Sequence, residues 1–345
     1  MKSLLLALLA LYPALAASQD KLKIEGITPG EEVVVMLFGR TSAECMNGMS
    51  SPAVTTFTTT GEKLLGNMLP KRKCLSEVAV FSKNHAMKWL SLNWSDRPGE
   101  TRTIKLKPLI NAALNIWVTT DEQKNKAEAD AQKAQDLFIE NRVGVRLVWK
   151  VRKLSDVRGA PSNAAKIVHD GLSDGRFADC DKLAPIRAQP FYVAKTLNVY
   201  YVDLPFLRGR NCAIKRVPLD MDTCVTSAEG DFRRADANIT FIGPDANDTT
   251  LAHELGHAYG LRPITCGAHA SGPDFPDNIM ISDEASAKVK RAKFTLGQVF
   301  RMNTHKDDWG GTMLIKNNIP SRVPRRCFPE EPPNAGCPAL EHPWP

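Results

Sequence analysis

The chain has 345 residues, of which 43% are hydrophobic and 24% charged, with a formal net charge of +7. That composition excludes a disordered or collagen-like chain and leaves room for a good core and a second, smaller one. The basic residues are scattered through "LPKRK", "KVRKL" and "KVKRAK" without an aromatic platform, so a mildly basic solvated surface is expected and a nucleic-acid reader is not.

The first stretch, "MKSLLLALLALYPALAASQD", combines Lys2, an apolar run from Leu4 to Leu15 and small residues at Ala14, Ala16 and Ala17. It predicts a signal peptide over 1–17 and a secreted or periplasmic protein with no membrane span. Eight cysteines in an exported chain favour disulfides. Chain order suggests Cys45 with Cys74, Cys180 with Cys212, Cys224 with Cys266 and Cys327 with Cys337, although spacing alone does not choose among pairings. Sequons occur at Asn93, Asn238 and Asn247.

Residues 18–109 hold short Val-, Thr- and Phe-rich runs separated by turn signals, as in "GITPGEEVVVMLFG" and "EVAVFS", and predict an all-β sandwich. Their order resembles the transthyretin-like or Ig-like modules appended to secreted peptidases. From 110 to 317 the texture changes. "LNIWVTT" reads as a strand, 122–141 as a helix burying Ala127, Ala131, Ala134 and Phe138, and "GVRLVWKVRKL", "LNVYYVDLPF" and "ANITFIG" as further strands. Strands alternating with helices predict an α/β layer with a mixed, mainly parallel sheet, so the whole chain is α+β. Residues 318–345 are Pro-rich and predict an extended tail held by Cys327 and Cys337.

The chemistry sits in "TTLAHELGHAYGLRP". Asp248 is the expected N-cap, Gly260 ends the helix, and Leu251, Leu255 and Ala258 form its buried face. His253 and His257 lie one turn apart, the spacing two zinc ligands need, and Glu254 is placed as general base. These residues imply hydrolysis of an amide bond. "HELGHAYG" together with "PDNIMIS" resembles the metzincin clan of zinc metalloproteases, with Met280 as the methionine of the Met-turn. The resemblance implies a Zn2+ cofactor, a monomer acting on a protein or peptide substrate, and substrate extended along an antiparallel edge strand. Cys212 to Glu229 is the candidate for that edge.

Pro263 stands where a third histidine would fall, and proline has no donor atom. The third ligand is therefore sought between Gly260 and the Met-turn, with His269 preferred for its neutral imidazole and Asp274 and Asp277 as alternatives. Pro263 also motivates a second reading, a non-catalytic zinc- or peptide-binding protein that keeps the protease fold. Cys266 is read as a disulfide partner, Glu284 as a poorer ligand that ignores the Met-turn, and Cys74 as no cysteine switch. His85, His169, His305 and His342 have no partner at ligand spacing and are read as surface or structural.

Overall fold

The computed structural model describes residues 21–39, 54–60, 63–64, 75–92, 99–172, 180, 182–194, 196–212, 219–220, 225–226, 238–259, 261, 277–281, 291–304 and 344–345. The fold is α+β with mixed sheets. Among the described residues no helix is long and apolar enough to cross a membrane. The expected leader, most of the Pro-rich tail, Asn93 and the cysteines other than Cys180 and Cys212 lie outside the described residues.

The N-terminal strands are β1 (Lys21–Glu25), β2 (Val33–Gly39), β3 (Val54–Thr59), β4 (Lys63–Leu64), β5 (Leu75–Ser82), β6 (His85–Ala86), β7 (Lys88–Ser91), β8 (Thr101–Lys105) and β9 (Lys107–Pro108). They form one sheet ordered β3-β2-β5-β7, a second ordered β4-β1-β8, and a short β6-β9 ladder. Val33, Val35 and Leu37 of β2 pack between the two sheets with Leu22, Ile24, Val78, Val80 and Ile104. The alternate residues Val34, Met36 and Phe38 are equally buried on the opposite face, beside Ala79, Phe81, Met87 and Trp89. An unbroken apolar run marks a strand covered on both sides, and here the second cover is the rest of the chain.

That second part contains β10 (Ile110–Val118), α1 (Asp121–Glu140), β11 (Val145–Lys153), α2 (Ala164–His169), α3 (Leu183–Arg187), β12 (Leu197–Tyr201), β13 (Gly209–Asn211), β14 (Leu219–Asp220), β15 (Val225–Thr226), β16 (Ile239–Ile242), α4 (Thr250–Ala258) and α5 (Leu296–Thr304). Its sheet is ordered β11-β10-β12-β16-β13. The first four strands run parallel, and β13 pairs antiparallel with β16. The antiparallel edge thus lies at 209–211, just before the 212–229 segment expected to supply it.

Thr120 caps α1 by accepting from Gln123 N, and Ala127, Ala131, Ala134 and Phe138 bury the expected face. Together with α4 and α5, α1 covers one side of the sheet, where Leu114, Ile116, Leu147 and Val199 meet Leu251, Leu255 and Phe300. On the other side Trp117, Tyr200 and Phe241 pack under Val168, Ile186 and Phe191. The Cys180–Cys212 disulfide, the pairing that chain order suggests, ties the segment after α2 to the end of β13. The sequon residue Asn238 is fully buried, with its amide donating to Tyr192 OH at 2.9 Å.

The exit of α1 joins the two parts of the chain. Val143 N donates to Phe138 O and Arg142 N to Ile139 O, the paired bonds of a Schellman ending, with Arg142 at φ 54°. Its guanidinium pairs with Glu32 and lies 5.3 Å from the Trp344 ring centroid. Two residues on, Gly144 has φ +81°, and a Cβ there would lie 2.8 Å from Met87 N. Only glycine lets the helix exit meet the N-terminal sheet so closely. Trp344 closes the joint, donating from Nε1 to Phe294 O at 2.9 Å and lying edge-on to Phe81.

Candidate metal centre

The α4 helix follows β16 after a short connection, and its start is fixed by Asn247, one residue before the expected Asp248. Asn247 Oδ1 accepts from Thr249 N at 3.0 Å, Thr249 Oγ1 at 2.9 Å and Thr250 Oγ1 at 3.0 Å, while Asn247 N donates back to Thr250 Oγ1. Thr249 holds the N-cap position without a side-chain cap bond of its own. At the other end Leu261 N donates to Gly256 O at 3.0 Å, the six-to-one bond of a Schellman ending. Every residue from Thr250 to Ala258 is buried. The helix is enclosed all round, more than its amphipathic spacing implied.

The two imidazoles face each other edge-on, with ring centroids 4.6 Å apart and Nε2 atoms 3.0 Å apart. His253 Nδ1 lies 2.7 Å from Ile279 O, and His257 Nδ1 lies 2.8 Å from Leu261 O. A carbonyl oxygen can only accept, so both Nδ1 atoms must carry the proton. Neutral imidazoles then present two Nε2 lone pairs to the same point. Burial keeps them neutral. It pulls His253 down to about 3 with help from the nearby Arg291 charge, and it pulls His257 well below the usual histidine value, with His253 as the next cause.

Two facing lone pairs at 3.0 Å repel unless an electrophile lies between them. A four-coordinate ion with bonds of about 2.1 Å spans an N···N distance of roughly 3.4 Å, a few tenths of an ångström more than the observed separation. Nδ1–H bonds to backbone carbonyls are the orienting contacts that metal-ligating histidines make. The two imidazoles are disposed as a pair of zinc ligands would be.

Beneath the pair runs the turn 278–281, closed by Ile281 N donating to Asn278 O. Met280 is fully buried in it, and a Cβ at Gly256 would lie 2.5 Å from Met280 Sδ. The glycine between the two histidines therefore admits the methionine directly under the helix. Asn278 holds the turn, accepting from Met280 N at 2.8 Å and pairing amide to amide with Gln298. Gln298 also completes a capping box with Thr295 at the start of α5. Turn and helix start form one bonded unit.

Glu254 is 4% exposed and lies against β13, where a Cβ at Gly209 would sit 2.6 Å from Glu254 Oε1. Arg291, read from "KVKRAK" as part of a solvated surface, is instead 2% exposed and donates to Ile281 O. The lysines around it in sequence give no sign that Arg291 turns inward. No local pattern distinguishes it.

The structure thus brings together His253, His257, Glu254 and Met280. Asp277 points elsewhere, its carboxylate 3.1 Å from Lys293 Nζ, and among the described residues no third His, Cys, Asp or Glu joins the pair as a possible ligand. Pro263, His269, Asp274 and Glu284 lie outside the described residues. His85 belongs to a local network, with Nδ1 3.1 Å from Ser82 Oγ and 3.2 Å from Glu31 Oε1, and His169 lies beside Asp170.

No protein-family model matches this chain. No curated protein matches it in sequence either. Among solved structures it is similar to one titled "Structure of a chaperone-substrate complex", at 9% identity and a TM-score of 0.30, over 76% of this chain and 36% of that one. The chain spans about a third of that structure's length, and a likeness this slight assigns neither fold nor function.

Proposed function

We propose that this chain is an exported zinc-dependent endopeptidase with a metzincin-like catalytic part. The observation that carries the reading is the pair of buried, neutral imidazoles with Nδ1 bonded to Ile279 O and Leu261 O and Nε2 atoms 3.0 Å apart. His253 and His257 would hold the ion, and His269 is proposed as the third ligand, with Asp274 as the alternative; Asp277 is less suited while paired with Lys293. Bound zinc would supply a Lewis acid that polarises a carbonyl and acidifies water. Glu254, the buried carboxylate of the helix, is the base proposed to take a proton and return it to the leaving amine. Met280 forms the floor, and the Ile279 carbonyl holds the first imidazole in its ligating tautomer. An extended peptide is proposed to lie along β13, the terminal strand of its sheet. The Cys180–Cys212 disulfide supports an oxidising compartment.

The test is zinc content and peptide cleavage in the parent and in Glu254→Ala, His269→Ala and Asp274→Ala. One zinc per chain, lost with the third ligand, and cleavage lost in Glu254→Ala are expected. Cleavage by Glu254→Ala at the parental rate would sink the reading. Pro263 favours the second reading, a zinc- or peptide-binding protein without turnover, which predicts one bound zinc and no cleavage of any protein mixture.

A further inference from the structure

Among the described residues other than glycine, only Arg142 and Phe206 have positive φ, and Phe206, at 67°, lies outside any helix ending. Leu207 N donates to Leu204 O at 3.2 Å, closing a four-residue turn with Pro205 second and Phe206 third. The third position of such a turn favours glycine or asparagine, because a Cβ there crowds the following carbonyl. An aromatic residue is disfavoured, and this one gains no burial in exchange, being 68% exposed. It is the most exposed large hydrophobic side chain among the described residues.

The turn cannot relax. Leu204 and Leu207 on either side of Pro205 and Phe206 are buried in the core under the sheet. Asp245 N donates to Leu207 O and Gly243 N to Arg208 O, locking the turn onto the connection between β16 and α4. A Cβ at Gly243 would lie 2.1 Å from Leu207 O, so that connection is already at closest approach. Three residues after Phe206, Gly209 rests on the Glu254 side chain. An exposed ring is therefore held on a rigid turn about 10 Å of chain from the proposed base.

We propose that Phe206 is a specificity-determining residue that stacks on a large apolar side chain of an extended peptide. The inference rests on the peptide path of the peptidase reading, antiparallel to β13, and not on turnover. Moving from Gly209 towards Phe206 is moving towards the peptide's C-terminus, so the apolar residue falls on the C-terminal side of the bond held over Glu254.

Phe206→Gly separates recognition from folding, since glycine suits this turn and should leave the melting temperature unchanged or raised. The probes are ten-residue Gly–Ser peptides carrying one Phe at each position in turn. Their binding is read by fluorescence anisotropy on the zinc-loaded Glu254→Ala chain with and without Phe206→Gly, and their cleavage is read on the parent. The expected result is about tenfold tighter binding for one Phe position, falling below about twofold in Phe206→Gly. No preferred position, or a preference that survives Phe206→Gly, overturns the inference. Position-dependent binding lost in Phe206→Gly without cleavage by the parent sinks the peptidase reading and leaves this inference standing. Cleavage by the parent together with binding whose preference ignores Phe206→Gly does the reverse.

Discussion

Acidifying the metal-free protein tests the His253–His257 arrangement without any assumption about turnover. In the unfolded chain both histidines take up a proton near pH 6.5. In the folded chain burial and the Arg291 charge pull His253 down to about 3, and burial and His253 lower His257 in the same direction. Over that window the unfolded state binds protons that the folded state refuses, so stability is full above pH 6.5 and falls as pH drops towards 3. Between pH 7.5 and 5 the loss is about 2 kcal/mol from His253, and His257 adds to it in the same direction. That is a large part of the roughly 5–15 kcal/mol that holds a domain folded. Urea unfolding of EDTA-treated protein at pH 7.5, 6.5, 5.5 and 5 measures it, in a range where most carboxylates stay ionised. The control is His253→Gln/His257→Gln, which should lose the slope. Saturating zinc should raise stability at neutral pH and lose that effect on acidification, because protons compete for the same nitrogens. If parent and control show the same pH slope, the two histidines are not buried and neutral, and the geometry proposed for the centre is wrong.

Gly209→Ala places a Cβ 2.6 Å from Glu254 Oε1 and from Thr250 Cγ2, so peptide cleavage should fall by about 10- to 100-fold with zinc content unchanged. Parental activity in that variant would show that Glu254 does not work from this position. Cys180→Ser/Cys212→Ser opens a loop of sequence separation 32 and should cost about 3–4 kcal/mol in denaturant unfolding. A cost well under 1 kcal/mol would mean that the bridge adds nothing to this region. Trp344→Ala removes the ring from Phe81, Arg142 and Phe294 O, and should cost about 2 kcal/mol, seen as a lower melting temperature. An unchanged melting temperature would show that the ring does not clasp the two parts of the chain.

What the sequence made legible follows from how local each signal is. The strand–helix–strand unit at 110–153 is written in alternation, an amphipathic face and a Thr cap, all set by neighbours within a few residues, and its bounds match to a residue or two except at the start of β10. The Asn-Asp-Thr-Thr run before α4 offers several caps of similar quality, and only the fold shows that Asn247, not Asp248, takes the bonds from Thr249 N and Thr250 Oγ1. Gly-Arg-Asn has no strand pattern, so β13 becomes a strand only by pairing with β16. The double burial of "VVVMLF" was written in its lack of alternation, but its second partner lies more than 200 residues away in sequence, at Phe300. His253, Glu254 and His257 stood out because a helix fixes their spacing. The carbonyls that orient the imidazoles belong to segments that only the fold brings near.

Those carbonyls make the centre depend on the N-terminal strands. Ile279, whose oxygen orients His253, is held by its own N–H donating to Lys293 O at 2.7 Å. The next residue, Phe294, donates to Asn141 Oδ1, and Asn141 Nδ2 donates to Ala292 O, so this segment is pinned to the exit of α1. That exit is itself gripped by Glu32 through Arg142 and by Met87 against Gly144. From the other side α5, bonded to the 278–281 turn through Gln298, sets Phe300 between Phe38 at 5.3 Å and Trp89 at 5.0 Å between ring centroids. Met280 and Val34 consequently belong to one continuous core. Ligand geometry tolerates little displacement, so a sheet that fixes α5 and the exit of α1 fixes the imidazoles as well. The N-terminal strands are in that sense the outer wall of the candidate metal centre. Their two-faced burial is what a wall requires and what a tethered, independent module would lack.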